Sequence, residues 1–553
     1  MTPFTCPISK EKFSISESEI KLRQKLGFSD LPTTAPWIRL RHLSAFWQHW
    51  ALHKRICNKT KKNIISAFSE KCPYPVWHKN EWQKHADPPS ADFDFEKPFF
   101  EQAWELFQKC PIPHKMGAGN ENCEYTDDCW FSRNAYLSHS VLRGEDIRHC
   151  YRSFSEKNSA FCAYSKNSEL CADLTNCFDC FDSLHCIDCR NIKSSSFLFD
   201  CRNCTDCLFC CNLRNKQYCF GNKQLTKEEF MVQKQKWNFR SRKLYDQAKL
   251  FFKEMIRLQA FFRSTHIMHS ENCTGDNIED SKNAQNCFFV NELEDCCNFL
   301  RGGLESRDCL DCVDVALNTE MIFNCTGAQD KVYQCRNSFS INQSRFCDYC
   351  ANCFQCENCF GCCGLVGKKY HIFNKAYSPE KYELLHEKII HHMQETKEWG
   401  VFFPGYFAPH PYDESLARFH FPLSEEKQAK LGFRVDEVIE RENKNYSPVS
   451  EIPDSPEDII NEKELTHKIF WDSAFKKPFQ ISDADIQFSK KIRCPLPDTY
   501  YMNRIQENFH WIPFDGKLRK TTCGKCNTNT QTSWPSTYDG RILCKECYLK
   551  VMH

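Results

Sequence analysis

Cys523-Gly-Lys-Cys526 and Cys544-Lys-Glu-Cys547 form two C-x2-C pairs with 17 residues between them. That spacing suits a structural metal site. Four thiolates satisfy a tetrahedral Zn2+ at about 2.3 Å, and filling all four positions leaves none for water or substrate. Gly524 suits the tight knuckle, Asp539-Gly540 suits a hairpin turn, and Cys547 opens a short terminal helix. The expected metal ligands are therefore Cys523, Cys526, Cys544 and Cys547, with Zn2+ as the cofactor.

A related segment stands at the other end of the chain. Phe13-Ser-Ile-Ser-Glu-Ser-Glu-Ile20 parallels Phe479-Gln-Ile-Ser-Asp-Ala-Asp-Ile486, and Cys57 lies as far beyond the first Phe as Cys523 does beyond the second. The positions equivalent to the four ligands hold Cys57, Thr60, His78 and Glu81. Thr60 is a poor zinc ligand. Either this copy has lost its metal, the reading we favour, or Cys6, Cys57, Cys72 and His78 improvise a site.

Other chemistry is scarce. Glu383, His386, Glu387, His391 and His392 share one stretch of helix, but a His-Glu-x-x-His motif fails because Ile390 stands where the second His belongs. No Gly-rich phosphate loop or nucleophile elbow occurs, so an enzyme is not expected. The tract Arg39 to Lys62 is basic and aromatic, with Trp47 and Trp50, and could hold phosphates while rings stack on bases. A solvated helix face with both Trp in a core is the simpler reading.

The remaining cysteines follow a period of three. From Cys123 to Leu213 every third residue is small or apolar, as in Cys177, Cys180, Ser183, Cys186, Cys189, Ile192, Ser195, Leu198, Cys201 and Cys204, and only Glu156 breaks the run. Helices repeat at 3.6 residues and ordinary strands at 2. A narrow β-solenoid, in which inward side chains recur every third residue, fits the pattern. Bundled polyproline II needs glycine at its axis, and the chain has only 18 glycines in 553 residues. A second run, ending Cys353-Phe-Gln-Cys-Glu-Asn-Cys359-Phe-Gly-Cys-Cys363, repeats Cys201 to Cys211 at a constant offset. The thiol column has three open readings: an inert interior, a reservoir for metals or clusters, or cross-coil disulfides.

Bulk properties narrow the setting. With 73 basic and 72 acidic side chains the net charge is +1, so no global field draws the chain to nucleic acid or membrane. The N-terminus Met1-Thr-Pro-Phe-Thr-Cys-Pro has neither a basic leader nor an apolar core, and no apolar run is long enough to span a bilayer. A cytoplasmic location is expected, where 39 cysteines mean packing or metal before disulfides.

These features divide the chain into a degenerate zinc-ribbon-like module (1–92), a connector with a short helix (93–121), a first Cys-rich solenoid copy (122–226) and a helical insertion (227–268). A second solenoid copy (269–377), a helix with an aromatic segment (378–435), an acidic linker (436–466) and a C-terminal zinc-binding module (467–553) follow. Thr226 with Glu229 predicts a capping box, and Pro379 after Ser378 predicts a helix start. The fold class expected is mainly β with α: a duplicated, narrow, Cys-rich β-solenoid (β-helix) core flanked by N- and C-terminal α+β zinc-ribbon or treble-clef-like modules.

Asp92-Phe-Asp-Phe, Pro98-Phe-Phe-Glu101, Asn212-Leu-Arg-Asn-Lys-Gln-Tyr218, Glu398-Trp-Gly, Phe402-Phe-Pro404, Phe421-Pro-Leu423 and the closing knuckles together resemble an uncharacterised family of large, Cys-rich zinc-ribbon proteins from uncultivated bacteria. The resemblance spans nearly the whole chain. It implies further Cys pairs where this sequence has Cys6 with Ser9 and Asp472 with Phe475, so those sites are expected to be empty, and it implies no activity. The expected function is a non-enzymatic, zinc-containing scaffold or binding protein for an unidentified protein partner. Its terminal modules are candidates for contact with nucleic acid, and no membrane association is expected. The alternative is a thiol-rich protein that binds or stores metal.

Overall fold

A computed structural model of the protein describes residues 4–28, 30–47, 51–84, 87–302, 306–308, 310–313, 323–324, 326–327, 333–436, 445–512, 514–536, 538 and 540–552. Trp50, Asp539 and part of the acidic linker lie outside them.

The three-residue period is a backbone rule. From Asp128 to Tyr218 every third residue sits in the left-handed region, with φ between +45° and +59°. Asn, Asp and Ser take many of these positions, because their short polar side chains tolerate that conformation. The next residue points inward and the one after it outward. Strands therefore stay short, many of them four residues, and pair in parallel with the strand 12 residues on, as in Cys129 with Val141, Cys186 with Leu198 and Leu198 with Cys210. Side-chain amides stack along one edge at the same spacing. Asn191 Nδ2 donates to Asn203 Oδ1 at 3.0 Å, and Asn203 Nδ2 to Asn215 Oδ1 at 2.9 Å.

The inward residues are fully buried, Ser165, Cys177, Cys186 and Cys204 among them. Their polar atoms do a specific job, since each turn leaves a carbonyl two residues back that faces the interior. Cys201 Sγ donates to Phe199 O at 3.5 Å, Ser195 Oγ to Lys193 O at 2.7 Å and Cys353 Sγ to Ala351 O at 3.5 Å. Cysteine and serine combine small volume with a donor at the place where one is needed.

The architecture corrects the expected fold class. The protein is mixed α/β with many small parallel sheets, not a mainly β, duplicated narrow solenoid with flanking modules. One eight-stranded sheet is curled, because the strand Arg202–Cys211 belongs to two ladders: Arg202 to Thr205 pair with Arg190 to Lys193, and Leu208 to Cys211 pair with Ser196 to Phe199. The later ladder is uneven, with Ile267 opposite Ile278, Leu293 opposite Ser306 and Cys347 opposite Cys359. A period of three reports the local turn and says little about how far a ladder extends or what covers it.

Helices cover it. Phe197 and Phe209, two of the left-handed residues, are fully buried, with Phe197 5.5 Å from Tyr245 and 5.7 Å from Phe252 on the helix Arg242–Gln259. One core cluster joins Phe46, Phe99, Tyr151, Phe197, Phe252, Phe403, Ile505 and Trp534, so both terminal segments pack into the same interior as the ladders. The capping box at Thr226 and Glu229 and the Ser378 cap before Pro379 are present. The helical insertion expected over 227–268 holds two helices, Lys227–Gln235 and Arg242–Gln259, the second capped by Ser241. Among the described residues no helix is long and apolar enough to cross a membrane.

Candidate metal centre

The C-terminal knuckle is built by backbone hydrogen bonds. The hairpin Arg519–Thr522 with Asn529–Thr532 leads into Cys523, whose N–H donates to Thr528 O, while Asn527, at φ +56°, donates back to Cys523 O. The Cys544 N–H, one residue before the helix Lys545–Met552, donates to Cys523 Sγ at 3.3 Å. The sulfurs of Cys523, Cys526, Cys544 and Cys547 all lie within 4.8 Å of one another. Cys526 Sγ and Cys544 Sγ are 3.8 Å apart, and four sulfurs at 2.3 Å from a tetrahedral centre are about 3.8 Å apart. The cluster could hold a metal ion. Burial opposes the Cys523 thiolate, but N–H groups of Cys526, Cys544 and Lys525 outweigh it and bring this thiol down to about 6, toward the ligating form.

The same knuckle occurs at three other places. Cys57 donates to Lys62 O and accepts from Lys61, at φ +59°, and its sulfur accepts from the N–H groups of Thr60 and His78 at 3.4 and 3.3 Å. Cys6 donates to Glu11 O and accepts from Lys10, at φ +61°, and its sulfur accepts from the Ser9 and Ala35 N–H groups. At Asp472 a carboxylate replaces the sulfur. Its Oδ1 accepts from the N–H groups of Ala474 and Phe475, and its Oδ2 from the Tyr500 N–H at 2.8 Å and Asn503 Nδ2 at 3.2 Å. In each, the second donor immediately precedes a helix, as Ala35, His78, Tyr500 and Cys544 do.

Sequence reasoning found Cys57 and His78 and reached Cys6, Ser9, Asp472 and Phe475 by resemblance, but missed Ala35, Ile38, Tyr500 and Asn503. Their signal is the spacing shared with Cys544 and Cys547. Among the described residues Cys6, Cys57, Cys72 and His78 do not gather into a ligand group. A surface group, His269, Glu279 and Asp280, is the other cluster with ligand spacing, and it is exposed or half-exposed.

The ladder thiols have a different chemistry. All cysteines among the described residues are free of disulfides, and none in the ladders belongs to a group of three close ligands. Burial pushes the thiols of Cys171 and Cys287 well up. Where thiols touch, the proton is shared unevenly: Cys204, approached by Cys201 and Cys207, falls while both neighbours rise. Glu156 is fully buried among them, and burial, with Cys150 beside it, raises its carboxyl well above the usual range.

Two arginines of the basic tract are internal, while Lys54, Lys59, Lys61 and Lys62 are exposed. Arg39 Nε donates to Asp311 Oδ2 at 2.7 Å and Nη2 to Glu19 Oε1 at 2.6 Å, Arg55 donates to Ser69 O at 2.6 Å, and Trp47 is buried. His386 is half-buried and His391 exposed, and among the described residues neither belongs to a group of three close ligands.

The metal cluster abuts the first ladder. Arg541–Leu543 pairs in parallel with Phe261–Arg263, and the Tyr548 hydroxyl donates to Asp200 and accepts from Arg214. Beside this seam His266 lies 3.4 Å from both Asp188 and Asp276. Burial works against the imidazolium, but the two carboxylates outweigh it and raise His266 from 6.5 to about 9. Its contribution to stability is complete below about pH 6.5 and is lost as the pH rises through about 9. His266→Gln should therefore remove about 2 kcal/mol of stability at neutral pH and flatten the alkaline fall. Urea unfolding across that range checks it, and a variant whose profile parallels the parent's would refute the assignment. Set against known proteins, the chain matches no family model and no curated sequence.

Proposed function

We propose that the protein is a non-enzymatic scaffold or binding protein in which Cys523, Cys526, Cys544 and Cys547 hold one structural Zn2+. The observation that carries this reading is the meeting of four sulfurs, all within 4.8 Å of one another, in a cluster whose flanking strand Arg541–Leu543 and Tyr548 join it to the ladder. Bound Zn2+ would supply a redox-inert, closed tetrahedral link. The chain's own groups do the rest: N–H donors hold Cys523 toward the thiolate, and the helix after Cys544 carries Tyr548 to Asp200. The alternative, metal storage by the ladder thiols, is disfavoured by their use as donors to carbonyls and by their raised proton affinity at Cys171 and Cys287.

Elemental analysis of the purified chain separates the two. About one zinc per chain is expected, falling to none in a Cys523→Ser, Cys526→Ser variant. Several metals per chain, retained in that variant, would favour storage and overturn the scaffold.

A further inference from the structure

Between the curled sheet and the C-terminal knuckle segment lies a cavity of about 30 Å³, lined on its polar side by Asp188, Arg263, His266, Asp276, Ser533 and Trp534. We infer that this cavity is a binding site for a monovalent anion of halide size.

Two buried donors line the cavity. Arg263 and Trp534 are 8% and 7% exposed, and among the described residues neither Arg263 Nε nor Trp534 Nε1 has a hydrogen-bond partner. Both nitrogens donate and neither can accept, so a group that completes them must be an acceptor. The nearby carboxylates are otherwise engaged. Asp276 accepts from Ser533 Oγ and from the N–H groups of His266 and Asn277. Asp200 accepts from Tyr548, Arg214 and Asn212.

Charge favours an anion over a cation. Arg190, Arg202 and Arg214 stand behind the cavity at the twelve-residue spacing and reach toward Asp188 and Asp200 at 3.1 to 3.6 Å. Together with Arg263 and His266, which line the cavity, these make five cationic groups against the lining carboxylates Asp188, Asp200 and Asp276 and against Glu279 beside Arg190. The aromatic wall of Phe262 and Trp534, whose ring centroids are 5.1 Å apart, keeps the interaction in a poorly screened setting. The volume admits one or two water-sized bodies, a size that chloride or bromide matches.

The wall carrying Ser533 and Trp534 lies between the two Cys pairs, so the site needs that segment folded, and metal content should be measured on every sample used. The test is the thermal midpoint of the full chain in sodium chloride and sodium bromide, compared with sodium sulfate at equal ionic strength. A saturable rise with halide is expected, with half-saturation moved at least about tenfold higher in Trp534→Phe, which removes the N–H and keeps a ring. A halide response that matches sulfate, or one unchanged in Trp534→Phe, would mean the cavity holds only water and would overturn the inference. Should the variant misfold, excess 35Cl line broadening by the unaltered protein, displaced by bromide, supports the site, and its absence rejects it.

Discussion

Cys544→Ser, or withdrawal of metal by a strong chelator, should release residues 519–552 from the rest of the molecule while leaving the ladders folded. The apolar cluster around the four cysteines is small, Cys523, Leu543, Cys547, Tyr548 and Met552 with Phe261, Cys544 and Val551 at the edge, and Trp534, Tyr538 and Ile542 tie the middle of the segment to the main core. A core of that size does not hold a chain of this length unaided. In small structural zinc units the ion supplies on the order of 10 kcal/mol of apparent folding free energy, so its loss should exceed what these side chains can offset. Hydrogen exchange should show near-complete loss of protection in Arg519–Thr532 and Lys545–Met552, and protease should cut between Lys517 and Lys550. The strands from Thr126 to Phe199 should stay protected. Full protection of the segment in metal-free protein would show that the four thiols are packing residues.

The second large effect is expected at Arg504→Leu. Arg504, on the helix Tyr501–Phe509, donates from Nε to Asp173 Oδ1 at 2.7 Å and from Nη2 to Oδ2 at 2.5 Å, and Tyr245 from the helix Arg242–Gln259 donates to the same carboxylate. All three are buried, and the guanidinium lies 3.8 Å above the Phe161 ring. Burial resists the Asp173 charge, but Arg504 outweighs it and holds the carboxyl well below the usual range. Removing the cation leaves a buried carboxylate with one hydroxyl donor, a change that costs about 3–5 kcal/mol. Asp173→Asn should cost a comparable amount, and the double variant less than the two together, because the second change removes the charge the first left unpaired. Urea unfolding measures all three, and strict additivity would show that the pair contributes little.

What the sequence disclosed and what it withheld divide along a physical line. The inward column was legible, because a confined interior selects side chains by volume and every third position shows that selection, from Cys177 to Cys204. The extent of the ladders was not, because the same triplet recurs whether strands form one long stack or many small sheets. Phe197 and Phe209 stand outside the inward column and are nonetheless buried under a helix. The gathering of Cys523, Cys526, Cys544 and Cys547 was legible because two C-x2-C pairs are a pattern that sequence shows directly. The counterparts at Ala35 and Tyr500 were silent, since the bond they make to Cys6 and Asp472 comes from a backbone N–H, which any residue except proline supplies. Asp173 and Arg504 stand far apart in the chain, and nothing local to either announces the other.

The unbroken series of left-handed residues from Asp128 to Tyr218 bears on how the ladder can form. Each non-glycine residue held there is disfavoured by about 1 kcal/mol when isolated, and Phe131, Leu137, Arg143 and Phe161 lack the short polar side chain that eases it. A single turn has no neighbour to offset that penalty, so a peptide of one or two turns should remain a random coil. Order must therefore spread from a nucleus of several turns at once. An insertion or deletion that is not a whole number of turns would break the chain into two stretches, each obliged to nucleate separately.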